Sequence, residues 1–341
     1  MRALSARPRR SIAELQLGER IEDQIYRVAS KDLRTDKNGG LYIHAVLADA
    51  SGQIPARFWN ASQAIFDSIP EGGFLYVRGR VESYKGTRQF IIDGLRAVAD
   101  GEIDPRDFLP HTRQDIEKMW ERVKDILRSI KNPHVLALVA RFVRDPEFAA
   151  GFKRAPAANK NHHAYIGGLL EHTLNLLEMA LLIVPRYPQV SLDLVLAGIL
   201  LHDAGKVREL AYETNFEYTD EGQLVGHITQ AAIWLHEKAG QIATETGAPV
   251  PREILNALMH IILSHHGKYE FGSPKLPAIP EAVIVHHLDN LDARVHMMLH
   301  EIDHCPDSAS DWTTYVRSLE TKVYKLDVLG IRTPGPGNPA N

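Results

Sequence analysis

Residues 200–206, Leu-Leu-His-Asp-Ala-Gly-Lys, place a histidine, an aspartate and a lysine in an apolar stretch of the 341-residue chain. Burying such groups is unfavourable unless they are paired or hold a metal ion. If the segment is helical, Lys206 lies about one turn after His202 and Asp203, on the same side. Adjacent His and Asp residues are common, so this segment alone indicates only a candidate site.

Other residues that could bind a metal ion lie in further segments that are rich in Leu, Ile and Ala and have helical spacing. They are His172, His227, His265, His266 and Asp289. With His202 they make six polar residues, besides Asp203, that successive helices would direct to a common core. Because the chain has one cysteine, a metal ion would have to be held by His, Asp or Glu. The pattern predicts a metal site.

The first hundred residues have the alternating pattern of β-strands. Strand pairs turn at residues 49–52 and 85–86, an opening strand lies near residues 21–30, and a short helix separates the pairs. Five strands with a helix after the third are typical of an OB-fold barrel. Aromatic residues and arginines on the outward face could stack bases and neutralise phosphates, or could simply cover the barrel. These candidates are Tyr42, Trp59, Tyr76, Arg78, Arg80 and Tyr84.

Most of the remaining chain is predicted to be helical. We therefore expect a multidomain α and β chain, in which an N-terminal five-stranded OB-fold β-barrel is followed by an all-α helical bundle. The expected boundaries are a disordered basic tail at 1–15, the barrel at 16–100, a linker at 101–112, the helical domain at 113–328 and a disordered Pro/Gly tail at 329–341.

Composition and charge narrow the class of protein. Hydrophobic residues make up 44% and charged residues 24%, as in an ordinary soluble protein. A run of about 18 uncharged apolar residues, which would predict a membrane span, is missing, and the single Cys305 fits a reducing cytoplasm. The net charge of −4 divides into +3 for residues 1–100 and −7 for the rest, which mildly favours a polyanion contact by the barrel.

These motifs resemble a known family. The order of His172, the His-Asp pair and Asp289 is similar to that of the HD-domain metal-dependent phosphohydrolases, and the added His227 and histidine pair resemble their two-metal branch. An OB-fold joined to the blocks HHAYIGGLLEHTL, LLHDAGKVREL, LSHHGKYEFGSP and HHLDNLDA resembles the YhaM-type 3'-to-5' exoribonucleases of bacteria, over roughly residues 16–325. The HD-GYP phosphodiesterases of cyclic dinucleotides have Gly-Tyr-Pro where this chain has Phe-Gly-Ser-Pro.

The resemblance implies a role for each residue. One divalent ion would be held by His172, His202, Asp203 and Asp289, and a second by Asp203, His227, His265 and His266. Mn²⁺ is the favoured ion, with Fe²⁺, Co²⁺ or Ni²⁺ as alternatives. Asp203 and Lys206 would be the catalytic residues. Lys206 would neutralise charge on the transferring phosphoryl group, unless it only pairs with Asp203.

The resemblance also implies the reaction and the partner. Single-stranded RNA would be hydrolysed from its 3' end to nucleoside 5'-monophosphates while the barrel holds the strand, with single-stranded DNA as an alternative substrate. A membrane partner is not expected, and a homo-oligomer stays open. Two other hypotheses are a phosphodiesterase of nucleotides or cyclic dinucleotides and a non-catalytic nucleic-acid-binding regulator. The complete ligand set argues against the regulator.

Four further residues are weaker candidates. His162 and His163 open a helix, where phosphate contact is favourable, although they could be surface caps. His260 fits the same ion poorly on a helical wheel and is expected to support a ligand or to have a structural role instead. Asp292 lies one turn after Asp289 and could hydrogen-bond a ligand histidine.

Overall fold

The computed structural model describes residues 9–70, 72–84, 87–98, 102–103, 108–159, 163–212, 216–305 and 310–331. The chain divides into two units, of which the first extends to Pro110 and the second begins at His111. The boundary lies inside the predicted linker. Phe108 stacks on Phe74 of the first unit at 4.9 Å between ring centroids, whereas Thr112 donates a hydrogen bond to Glu171 of the second.

The first unit is a closed five-stranded barrel with the strand order β1-β2-β3-β5-β4, as predicted. Strands β3 and β5 are parallel and the other neighbours are antiparallel. Alternate apolar residues such as Ile43, Leu47 and Val77 fill its interior. Its elements are β1 (Arg20–Thr35), β2 (Leu41–Asp49), β3 (Gly52–Phe58), α1 (Gln63–Ser68), β4 (Phe74–Tyr84) and β5 (Thr87–Ala97).

The N-terminal segment differs from the expectation of a disordered tail at 1–15. Ile12 and Leu15 are 3% and 1% exposed and pack in the barrel core, because burying two large apolar side chains outweighs the entropy of ordering a short segment. Residues 1–8, the predicted turn at residues 85–86 and most of the predicted C-terminal tail lie outside the described residues.

The second unit has one large apolar core formed by helices. Their bounds are α2 (Ile116–Leu127), α3 (Pro133–Arg144), α4 (Pro146–Arg154), α5 (Gly168–Ile183), α6 (Leu192–His202), α7 (Lys206–Glu209), α8 (Asp220–Leu224), α9 (His227–Thr246), α10 (Arg252–Ser264) and α11 (Pro280–His304). Helix α5 packs on α2, α4, α6 and α11, which places it at the centre of the bundle.

The helical unit is not all-α, which corrects the prediction. Two short antiparallel pairs occur, formed by β6 (Leu210–Ala211) with β7 (Glu217–Tyr218) and by β8 (Trp312–Val316) with β9 (Thr321–Tyr324). The second pair is rich in the aromatic and β-branched residues that favour strands.

One helix in the described part of the chain, residues Gly168–Arg186, is long and apolar enough to span a membrane. It contains α5, and its Leu169, Leu170 and Leu176 are fully buried. Helices pack around it, so its hydropathy is that of a core helix.

Candidate metal centre and nucleic-acid face

The segment around residues 200–206 is not one continuous helix. Helix α6 ends at His202, Asp203 has non-helical backbone angles (φ −107°, ψ 7°), and α7 begins at Lys206. The turn between them approaches the start of α9 closely, since a Cβ on Gly205 would lie 2.2 Å from the carbonyl oxygen of His227. Glycine therefore allows the His-Asp turn and α9 to meet.

Asp203 lies at the centre of the cluster and is 2% exposed. Its Oδ2 atom is 3.4 Å from His202 Nε2 and 4.0 Å from His172 Nε2. Asp289 Oδ1 in turn lies 3.3 Å from His172 Nε2. Lys206 Nζ donates to the same Asp203 Oδ2 at 2.7 Å. We call His172, His202 and Asp289 the first half-site.

The other carboxylate oxygen of Asp203 faces a different set of histidines. Its Oδ1 atom is 3.6 Å from His227 Nε2 and 3.7 Å from His265 Nε2. His266 is adjacent, and one ring nitrogen each from His227, His265 and His266 lies within 4.8 Å of the other two. These three histidines form the second half-site, so the six other predicted ligands lie in two groups around the carboxylate of Asp203.

The histidine rings are held through their Nδ1 atoms. In three of them the acceptor is a backbone carbonyl oxygen: that of Ile199 for His202 at 2.7 Å, Ile262 for His265 at 2.8 Å and Phe271 for His266 at 2.7 Å. A carbonyl oxygen accepts only, so each Nδ1 carries the proton and each Nε2 presents a lone pair.

The other two histidines bond carboxylates. His172 Nδ1 donates to Asp292 Oδ2 at 2.7 Å, and His227 Nδ1 donates to Glu209 Oε1 at 2.8 Å. Carboxylate–histidine pairs of this kind orient metal-binding histidines and increase their basicity.

These residues fit a divalent cation. The Nε2 atoms of His202, His227 and His265 and the Oδ1 atom of Asp203 are buried without a hydrogen-bond partner. Buried polar atoms are nearly always hydrogen-bonded, so four such atoms in one cluster require a different kind of partner. Imidazole nitrogens with carboxylate oxygens are the donor set of first-row divalent ions.

The electrostatics of the cluster agree with cation binding. Burial would raise the pKa of Asp203, but the positive charge of Lys206 outweighs it and holds this pKa well below its usual range. Burial would lower the pKa of His172, but hydrogen bonds to Asp289 and Asp292 raise it to about 9. A cation that binds there must therefore displace a proton.

His163, predicted as a substrate contact, is buried inside the helical unit. It is 1% exposed, its Nε2 bonds Asp292 Oδ2 at 2.9 Å, and its Nδ1 bonds the hydroxyl of Tyr165 at 2.7 Å. A Cβ on Gly168 would lie 2.0 Å from the carbonyl oxygen of His163, so the chain packs too tightly here for a surface cap. His163 supports Asp292, while His162 lies outside the described residues.

Asp292 and His260, the two residues expected to support ligands, have different kinds of hydrogen-bond partner. The hydrogen bond predicted between Asp292 and a candidate ligand is present, and its partner is His172. His260 instead accepts a hydrogen bond from the backbone N–H of Ala278 at 2.8 Å. It therefore holds the loop before α11, which is the structural one of the two expected roles and corrects its assignment as a support for a ligand.

Sequence reasoning missed Glu209 and Asn175. Asn175 donates to Asp292 Oδ1 at 3.0 Å and lies one turn after His172, so helical spacing could have identified it. Glu209 lies beyond the break after α6, and helical spacing in residues 200–206 does not indicate where that break places it.

The barrel presents a candidate nucleic-acid face on β2, β3 and β4. Tyr42 and Trp59 stack with ring centroids 4.9 Å apart, and Trp59 is 39% exposed. The guanidinium of Arg57, which the sequence analysis did not single out, lies 4.7 Å from the ring centroid of Tyr84. Exposed rings beside a cation are the features on which single-stranded bases stack.

On β4, Tyr76 and Arg80 already have partners and are less available for contact with nucleic acid. The guanidinium of Arg96 stacks on Tyr76 at 3.5 Å. Arg80 donates to Glu82 at 2.7 Å and to Asp93 at 2.8 Å, so two carboxylates already balance its charge. Arg78 is exposed. Arg80 is therefore a weaker phosphate contact than the sequence indicates.

Comparison with known families and proteins agrees with both units. A model described as "HD domain" matches residues 169–294, and one described as "OB-fold nucleic acid binding domain" matches residues 26–98. The chain is 34% identical over 310 residues to the 3'-5' exoribonuclease YhaM of Bacillus subtilis, covering 91% of this chain and 95% of that protein. It is 32% identical over 316 residues to YhaM of Bacillus pumilus, covering 92% and 97%.

Comparison with solved structures finds matches of low sequence identity. The second OB-fold domain of replication protein A from Methanococcus maripaludis is 19% identical, with a TM-score of 0.22, and the match covers 28% of this chain and 99% of that one. PriB from Ralstonia solanacearum is also 19% identical, with a TM-score of 0.21, covering 24% and 100%.

Proposed function

Because the chain belongs to the YhaM family of 3'-5' exoribonucleases, we propose that it removes nucleotides from single-stranded RNA at a centre that holds two divalent ions. The observation that carries this proposal is the arrangement around Asp203, where each carboxylate oxygen faces its own group of histidine Nε2 atoms. The bond broken would join phosphorus to the 3' oxygen of the preceding ribose, so each cycle would release a nucleoside 5'-monophosphate.

The candidate ligands divide between the half-sites. The first half-site would hold one ion and the second half-site the other, while Asp203 would give one oxygen to each. Bound divalent ions supply a nucleophile at neutral pH and stabilise negative charge on phosphoryl oxygens. The nitrogen and oxygen donors favour Mn²⁺, with Fe²⁺, Co²⁺ and Ni²⁺ as alternatives.

The protein's own groups prepare this chemistry. The Nδ1 hydrogen bonds fix each ring with its lone pair directed inward. Lys206 keeps Asp203 ionised through the 2.7 Å contact and adds positive charge beside the phosphoryl group. That charge is most useful in the transition state, where a preorganised cation needs no reorganisation.

The barrel would hold the strand that is being degraded. Stacking on Tyr42, Trp59 and Tyr84, with phosphate contacts from Arg57, accepts any base. Stacking does not depend on the sugar, so we include single-stranded DNA as a second substrate. We place the protein in the cytoplasm, where the thiol of Cys305 would stay reduced.

A single assay tests this function. The full chain with Mn²⁺ is given a 5'-labelled RNA, the same RNA with a blocked 3' end, the matching DNA and a cyclic dinucleotide. We expect a ladder of shortened products from the RNA with a free 3' end, and no ladder from the blocked RNA or in the presence of a chelator.

Two results would contradict the proposal. Turnover of the cyclic dinucleotide without RNA laddering would indicate the alternative phosphodiesterase. RNA binding without turnover in any divalent ion would indicate a regulator. The Asp203→Ala variant is the negative control for a contaminating nuclease.

A further inference from the structure

Each half-site contains one histidine whose ring is held by a carboxylate from another helix. His202 and His265 bond the carbonyl oxygen three residues earlier, so their own backbone sets the ring orientation. His172 and His227 bond carboxylates that arrive from other helices. In each half-site, the orientation of one histidine ring therefore depends on a carboxylate that a point mutation can remove.

Glu209 reaches His227 from the end of α7. Its Oε1 atom accepts the ring Nδ1–H at 2.8 Å and the backbone N–H of the same residue at 3.0 Å. Helix α9 begins at His227 and receives no side-chain cap from Gly226, so Glu209 also caps this helix. Its own backbone is closely packed, because a Cβ on Gly222 would lie 2.2 Å from the carbonyl oxygen of Glu209.

Asp292 reaches His172 from α11. Its Oδ2 atom accepts from His172 at 2.7 Å and from His163 at 2.9 Å, while its Oδ1 atom accepts from Asn175 at 3.0 Å. Its side chain is 12% exposed. Three donors around one half-buried carboxylate fix its position, and through it the position of the His172 ring.

We infer that Glu209 and Asp292 are positioning residues for different halves of the centre, so that removing one of them releases one ion and leaves the other bound. This inference rests on the two-ion function proposed above. Among the described residues, the side-chain hydrogen bonds of Glu209 go to His227, whereas those of Asp292 go to His172, His163 and Asn175. Loss of such a partner weakens metal binding by about 10- to 100-fold.

The test measures bound Mn²⁺ instead of activity. Wild type, Glu209→Ala, Asp292→Ala and the double variant are loaded, freed of excess ion by gel filtration and analysed for metal per chain, and each is titrated by calorimetry. We expect two ions in wild type, one in each single variant and none in the double variant.

Conservative and matched variants separate positioning from general damage. Glu209→Gln and Asp292→Asn keep an acceptor oxygen, so we expect them to retain two ions with a smaller loss of affinity. Glu281→Gln is the control, because Glu281 is as buried as Glu209, both being 9% exposed, and accepts the backbone N–H of Ser191 at 2.8 Å. It should bind two ions with wild-type affinity.

The outcomes distinguish this inference from the proposed function. One ion in wild type would overturn the two-ion function and the inference together. Two ions in wild type, with both or neither lost in a single alanine variant, would overturn the inference alone. If an alanine variant does not fold, the amide variants decide, since the affinity of one ion must fall while that of the other stays unchanged.

Discussion

The outer face of the barrel and the metal centre hold their polar groups in opposite ways. On the barrel, Trp59 is 39% exposed and the guanidinium of Arg57 lies over the ring of Tyr84. In the candidate metal centre, His172 and His202 are fully buried and every histidine that could bind metal is fixed through Nδ1. RNA affinity at the barrel face would therefore be spread over several contacts, each of which contributes part of it. Metal binding at the centre would depend on a few individual atoms.

The largest expected effect comes from Asp203→Ala. The variant removes the carboxylate that both half-sites share, so we expect loss of bound metal and loss of RNA cleavage. RNA affinity, measured by fluorescence anisotropy, should stay within about threefold of wild type, because we propose that stacking on the barrel supplies most of it. If a folded Asp203→Ala variant lost RNA affinity as well as metal, the barrel face and the metal centre would not act separately.

The reciprocal change is Trp59→Ala on the barrel. It removes a stacking platform worth about 1–3 kcal/mol, so RNA affinity should fall by about 5- to 150-fold. Metal content should be unchanged. Anisotropy and elemental analysis measure the two quantities, and wild-type affinity would show that RNA does not stack on this ring.

A smaller effect is expected from His163→Ala. The variant removes one of three donors to Asp292, so metal affinity should fall by about tenfold, while RNA affinity of the metal-loaded protein should stay the same. Titration calorimetry and anisotropy test this. Weaker RNA binding with unchanged metal affinity would restore the interpretation of His163 as a substrate contact.

His296 makes stability depend on pH. Burial and the neighbouring His163 lower the pKa of His296 to about 4. Its Nδ1 also accepts the backbone N–H of His163. A depressed histidine pKa means that the unfolded chain binds the proton more tightly, so stability is lost as pH falls from about 6.5 to 4. Because the ring is only partly buried, we expect about 1–2 kcal/mol.

The groups that face His296 are His163, Tyr165, Asp292, Glu171 and His300, of which the carboxylates oppose the shift. Urea unfolding of wild type and His296→Asn at pH 7 and pH 4.5 isolates the contribution. The loss between these pH values should be smaller in the variant, and equal losses would contradict the assignment.

The smallest effect is expected from Arg80→Ala. Glu82 and Asp93 already balance this charge, so RNA affinity should change by less than about twofold. Arg57→Ala is the matched comparison and should reduce the slope of log affinity against log salt by about 0.7. A larger change in slope for Arg80 than for Arg57 would reverse the assignment of the face.

The architecture could be predicted because its signals are local. Alternation in residues 41–47 and helical spacing around His172 and Asp289 each indicate one element, and the elements form as expected. The seven candidate ligands could be predicted from the sequence for the same reason, since each is a polar residue in an apolar helix or at its end.

The supporting residues could not be predicted because they depend on how the helices pack. Glu209 reaches His227 from a short helix that begins after the break at His202, and the helical spacing of residues 200–206 does not indicate that break. His163 is polar and lies near a helix start, which favours a surface role, but packing buries it beneath Asp292. Local pattern identifies ligands more readily than it identifies what orients them.

The central claim is that Asp203 joins two ions. It is tested most directly by anomalous diffraction at the manganese edge from crystals loaded with Mn²⁺. We predict two peaks about 3.5–4 Å apart, one beside each oxygen of Asp203 and each next to one half-site. A single peak, or two peaks of which one lies away from Asp203, would contradict the account.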